Sequence, residues 1–141
     1  MTDFGLAKNG AEVVTATCVD PDRPASNIVE DDESLYWSTT GCYPQEVVIK
    51  LGNNVEISRI KTITSNVRRI VVERCQSDAF QSWEPLYDIN VPAAKDAVHG
   101  TPKLQVMPNQ IQKKSAKYLK IKIMDGWADF CTVHCVSIQG K

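Results

Sequence analysis

The chain has 141 residues, 43% of them apolar, with 16 basic against 17 acidic side chains and a formal net charge of −1. That length suits a single domain with a real core and hardly two. A balance so near zero excludes a bulk field that gathers nucleic acid or an anionic membrane surface, and no run of about eighteen apolar residues is present to span a bilayer.

The start, Met1-Thr2-Asp3-Phe4-Gly5, has neither the basic flank nor the apolar stretch of a secretory signal. A cytosolic setting, or a compartment continuous with it, is expected. Cys18, Cys42, Cys75, Cys131 and Cys135 are odd in number and form no C-x-x-C pair, so free thiols are expected. Zinc is not: only His99 and His134 could assist, and Cys131/Cys135 has no matching second pair.

In chain order, residues 1–11 carry Gly5 and Gly10 and read as a loose start. Glu12–Cys18 is rich in β-branched residues and reads as a strand, ended by Asp20-Pro21-Asp22-Arg23-Pro24. Ala25 and Ser26 lead into a short turn that buries Ile28 and Val29. Glu30, Asp31, Asp32, Glu33 and Ser34 follow, before Tyr36 and Trp37 return to the interior. Carboxylates and carbonyls crowded on a tight turn suit a hard cation such as calcium; a metal-free acidic loop pinned by Trp37 is the other reading.

Gln45–Leu51 reads as a strand, Gly52-Asn53-Asn54 as a turn, and Val55–Thr64 as its hairpin partner. Val67–Cys75 and Leu86–Val91 are further strands. The connection Gln76–Pro85 holds Phe80 and Trp83, and Ala93–Pro102 is loop. Lys103–Met107 and Asn109–Ile111 read as short strand pieces. Tyr118–Met124 has the cleanest period of two, with Leu119, Ile121 and Ile123 facing one way and Lys120 and Lys122 the other. With Lys113, Lys114 and Lys117 these form a basic run, read as a solvated face with edge protection or as a partner patch. Asp125–Asp129 is a turn containing Trp127, and Thr132–Ile138 closes the chain.

Short strands separated by turns predict an all-β, antiparallel jelly-roll sandwich over residues 1–141, with the first and last strands paired. Its expected core is Val13, Ile28, Trp37, Val48, Ile60, Ile70, Val72, Leu119, Ile121 and Val136. No nucleophile elbow, phosphate loop, dinucleotide fingerprint or zincin helix is present, and no enzyme is expected. Cys131 and His134 are three apart and fall on opposite faces of a strand. The aromatics Tyr43, Trp83, Trp127 and Phe130 lie in or beside loops, where a sandwich grips a partner or a sugar. A carbohydrate- or glycolipid-binding module is the alternative function.

Two stretches carry a resemblance. Asn27-Ile-Val-Glu-Asp-Asp-Glu-Ser-Leu-Tyr-Trp37 with Ser38-Thr39-Thr40-Gly41 and Tyr43-Pro44-Gln45-Glu46 resembles the intraflagellar transport protein 25 family, a galactose-binding-domain-like jelly roll of the discoidin type. Phe130–Gly140 and Tyr118-Leu-Lys-Ile are similar to that family's closing strands. The resemblance implies a non-enzymatic subunit of the ciliary transport complex B, in the cytoplasm and the cilium or flagellum. It implies a Rab-like small GTPase partner among other complex B subunits, with no nucleic acid and no membrane insertion.

It also implies a structural Ca2+, with ligands falling on Asn27, Glu30, Asp32, Leu35, His134 and Cys135. The chain departs from the pattern at three of them: Glu30 stands for an aspartate, Leu35 for a threonine and Cys135 for a glutamate. The partner surface is expected at Ser38, Thr39, Thr40 and Tyr43 beside the acidic turn, joined by Arg68, Arg69, Trp127 and Phe130.

Overall fold

The structure, a computed structural model, describes residues 2–77, 82–94 and 104–141. Its strands are β1 (Glu12–Ala16), β2 (Trp37–Ser38), β3 (Gln45–Ser65), β4 (Val67–Cys75), β5 (Glu84–Asn90), β6 (Gln105–Gly126) and β7 (Thr132–Gly140). Short 3-10 turns at Ala7–Asn9 and Ala25–Val29 are the helical segments among the described residues. Phe80, His99 and most of the expected loop Ala93–Pro102 lie outside them.

The expected hairpin at Gly52-Asn53-Asn54 does not form. β3 runs unbroken through it, because Leu51 before it and Val55 after it both point into the core. The ladder with β6 passes from Lys50↔Tyr118 to Val55↔Ala116, so the inserted residues bulge out of one strand. There the backbone of Gly10 comes so close that a Cβ on it would sit 2.7 Å from the Gly52 Cα, and Gly10 has φ 101. Likewise Gln105–Met107 of the first expected piece, with Asn109–Ile111 and Tyr118–Met124, are parts of the one strand β6, which bulges at Lys113 with φ 44; Lys103 lies outside the described residues.

These two long strands make the sandwich. The early half of β3 pairs with β1, and the late half of β6 with β4, which carries β5. The late half of β3 pairs with β7, which carries β2. Hydrogen bonding is therefore continuous, while β3 and β6 bend from one layer into the other. All pairings are antiparallel. β1 and β7 do not pair as expected. The segment before β1 ties to β7 instead, through Phe4 N to Ile138 O at 2.9 Å and Ile138 N to the Asp3 carboxylate at 2.9 Å.

Ile28, Trp37, Ile60, Ile70, Val72, Leu119, Ile121 and Val136 fill the space between the layers as expected. Val13 is only half-buried at the rim of that core. Val48 is buried on the opposite face, in a small cluster with Cys75 and Tyr118 under Trp83. It sits between Val47 and Ile49, so strand alternation sends it outward. The lysine run also divides. Lys113 and Lys114 lie where β6 is an edge, but Lys120 and Lys122 lie where it is flanked by β3 and β4. There Lys122 approaches Glu73 at 3.6 Å and Lys120 lies over the Trp83 ring, so these two guard no edge.

Candidate functional site

The acidic turn closes on its own atoms. The Asp32 carboxylate accepts from the Ser34 hydroxyl at 2.6 Å and the Ser34 N–H at 2.9 Å, and these bonds hold its pKa below the ordinary value. Leu35 N donates to Asp32 O at 3.1 Å. The Asn27 amide donates to Tyr36 O at 3.0 Å. Across the layer, His134 Nδ1 lies 2.7 Å from Glu33 O. A carbonyl only accepts, so Nδ1 carries the proton. In the neutral ring Nε2 then accepts from the Thr132 hydroxyl at 2.9 Å, which in turn contacts Ser65. The acidic turn is thus latched to β7 and β3.

Of the expected metal ligands, the fold brings Asn27, Asp32 and His134 to this turn, with Asn27 Nδ2, Asp32 Oδ1 and both ring nitrogens of His134 already engaged. Glu30 and Leu35 are exposed, and Leu35 offers only its carbonyl. Burial pushes the half-buried Cys135 thiol up to about 11, so it stays protonated and is a poor ligand for a hard cation. Among the described residues no three His, Cys, Asp or Glu side chains converge. Side chains alone therefore do not fit the ion; a bound Ca2+ would depend on main-chain oxygens with Glu30 supplying charge.

Beside the turn, the loops at one end of the sandwich meet. Buried Gln45 organises them: its amide donates to Cys42 O at 2.8 Å and the Thr40 hydroxyl at 3.2 Å, and its oxygen accepts from Thr17. Thr39, expected on the rim, is 3% exposed. It clamps Cys131 instead, through Thr39 N to Cys131 O at 2.8 Å and Cys131 N to the Thr39 hydroxyl at 3.3 Å. The Tyr43 hydroxyl donates to Ala128 O at 2.9 Å and lies 3.1 Å from the Cys131 sulfur. Burial raises its pKa, so it remains a donor. A Cβ on Gly126 would fall 2.1 Å from that hydroxyl, so only glycine admits the ring.

Trp127 is fixed by its N–H to Asn66 O at 2.7 Å and its indole N–H to Val91 O at 2.9 Å, yet stays 48% exposed. The Arg68 guanidinium covers one face of the ring at 4.8 Å. Phe130 is 46% exposed. Arg69 is committed elsewhere, in a two-pronged pair with Asp88 on β5 at 2.9 and 2.6 Å. The structure thus gathers Thr40, Tyr43, Arg68, Trp127 and Phe130 at one end, with Ser38 half-buried behind them.

Two contributors escaped sequence reasoning. Gln45 looked like an ordinary strand opening. Val19, 86% exposed beside Cys18, shares this end, since the Cys18 sulfur lies 4.0 Å from the Thr40 hydroxyl. An apolar residue stranded before a proline-rich loop was the available signal.

Burial raises the Cys131 thiol, and its sulfur is held by Tyr43 and the Asn66 carbonyl, the opposite of an activated nucleophile. Both ring nitrogens of His134 are occupied.

No family model matches the chain. Among curated proteins it is 34% identical over 140 residues to intraflagellar transport protein 25 of Chlamydomonas reinhardtii, covering 99% of this chain and 70% of that one. It is 33% identical to the human homolog of that protein, covering 98% and 92%. The chain belongs to the intraflagellar transport protein 25 family.

Solved structures show the same jelly roll. The chain resembles a chitosan-binding module from Paenibacillus with TM-score 0.79, 14% identity and coverage of 99% and 100%. It resembles a family 32 carbohydrate-binding module of Clostridium perfringens, in complex with galactose, with TM-score 0.77, 14% identity and coverage of 97% of both chains. At such identity the likeness concerns the fold alone.

Proposed function

We propose that this chain is a non-enzymatic interaction subunit of intraflagellar transport complex B, working in the cytoplasm and the cilium or flagellum. In this reading it forms a heterodimer with a Rab-like small GTPase subunit and supports ciliary cargo transport. The observation that carries the reading is the match to relatives named intraflagellar transport protein 25 over 98–99% of the chain.

The loop end supports it as the docking surface. Arg68, at the start of β4, is exposed there with Thr40, Trp127 and Phe130, which lie on loops held rigid by Gln45, Thr39 and Tyr43. Exposed aromatics beside arginine on a preorganised frame are the usual anchors of a stable interface, which buries roughly 800 Å² on each partner. Thr40→Arg places an unpaired charge in that contact, which is costly once desolvated. The variant should still fold, with its melting midpoint lowered only modestly by loss of the Gln45–Thr40 hydrogen bond, and no longer co-elute with the co-expressed GTPase. Co-elution at wild-type strength would remove this surface. Retention on a galactose column with no GTPase recovered would favour a sugar-binding module instead.

A structural Ca2+ at the acidic turn is a separate proposal. Its support is that the latch between His134 and Glu33 brings the carbonyl-rich turn against β7 beside four consecutive carboxylates, Glu30 to Glu33.

A further inference from the structure

Away from the loop end, the sandwich has an open side. Over Gln105–Ala116, β6 bonds to β3 on one flank, and none of the described residues pairs with it on the other. β5 is likewise paired on one flank only, with β4. Between these edges lies a groove of about 280 Å³ lined by Pro85, Leu86, Gln110, Ile111, Gln112 and Lys114. Its floor is apolar, since Ile111 is buried and Leu86 packs on the core. Its end is closed where Lys114 approaches Glu84 at 3.6 Å and Arg74 donates to Ser115 O at 2.6 Å.

Two donors are stranded near this side. The Tyr87 hydroxyl on β5 and the Asn109 amide nitrogen on β6 are buried without a partner among the described residues. Asn109 is close enough to act on the phenol, but the two do not meet in hydrogen-bond geometry. Unsatisfied buried donors are costly, so this side of the sandwich is held less tightly than the loop end. The local charge indicates which kind of chain suits this side. Along the open stretch Gln105–Ala116 there are two lysines, Lys113 and Lys114, and no acidic residue. Lys113, and Arg59 on the neighbouring strand, have no ionic partner among the described residues.

We propose that this groove docks an extended, acidic segment of a partner chain, which pairs its main chain with the β6 edge and sets apolar side chains on Leu86 and Ile111. A second copy of this chain fits less well. Pro108 withdraws a ladder donor, Lys113 bulges the edge, and lysines would face lysines across a self-paired seam. Carboxylates on the incoming strand turn those lysines from a barrier into contacts. The groove is separate from the loop-end rim, so it stands or falls independently of the GTPase reading.

The test titrates the full chain with a short labelled peptide alternating glutamate and valine, and with the same peptide carrying lysine for glutamate. Binding is followed by anisotropy and by amide exchange. The acidic peptide should bind about tenfold tighter than the basic one. It should slow exchange at residues 109–112 and leave Trp127 and Phe130 unaffected. Lys113→Glu, exposed and outside the core, should weaken binding about threefold without moving the melting midpoint. Equal affinity for both peptides, or no protection at residues 109–112, overturns the proposal. So does a concentration-dependent dimer that protects the same amides.

Discussion

Trp37 has no exposed surface, and its indole N–H donates to Cys18 O at 3.0 Å. It therefore fills the core and holds the end of the first strand beneath the loop rim. Trp37→Ala should cost about 3–5 kcal/mol, seen as a lowered urea midpoint; a loss under about 1 kcal/mol would mean the site collapses around the smaller side chain. At the acidic turn the test is metal. A cation that binds only the folded state raises its stability by mass action. The melting midpoint should rise with added calcium and fall with a chelator, and Glu30→Gln should blunt the response. An unchanged midpoint, with no calcium by elemental analysis, removes the site and leaves the hydrogen bonds of Asp32 and His134 as the whole of the latch.

The elements that matter most are the long strands β3 and β6, because each belongs to both layers. Where β3 ends and β6 begins, one buried side chain seals the contact. Gln105 accepts from the Thr64 hydroxyl at 2.9 Å and Val67 N at 3.0 Å, and donates to Val67 O at 2.8 Å and Pro92 O at 3.0 Å. Gln105→Leu keeps the bulk but strands these groups. Each buried group left unpaired costs about 1–3 kcal/mol, so a total loss of at least about 3 kcal/mol is expected. Fast amide exchange at Val67 should accompany it. If stability and exchange both stay at wild-type values, water replaces the glutamine there.

For the whole molecule, near-neutral net charge makes stability depend on local pairs more than on general repulsion. Arg69 hydrogen-bonds Asp88, Arg74 hydrogen-bonds Glu84, and Ser34 hydrogen-bonds Asp32, and each contact holds its carboxyl below the usual value. A carboxyl depressed in the folded state stabilises it above the unfolded pKa, about 3.9 for Asp and 4.3 for Glu, and that gain is lost as pH falls through the lower folded value. Urea midpoints should hold from pH 7 to about 5 and drop below about 4. Because these groups are exposed, the share of each is small. Asp88→Asn should shrink the drop; an identical acid profile would show that the Arg69 pair contributes nothing.

By itself the sequence determined the strand type and the inner faces. Alternation is a local property, so Leu119, Ile121 and Ile123 could be placed in the core and Lys120 and Lys122 outside it from their order alone. The acidic turn, buried Trp37 and the loop aromatics were legible too, since their residue types are unusual for their positions. Pairing was not. Gly52-Asn53-Asn54 carries the chemistry of a turn, and only the long-range ladder to β6 and β7 makes it a bulge that bends β3 between layers. Thr39 reads as a small rim residue until Cys131, far along the chain, arrives to bury it. The β6 edge beside β5, unpaired among the described residues, is a consequence of which strands stop pairing where. Such contacts depend on the order of strands in space, which single-chain patterning does not encode, and so the tertiary structure decided them.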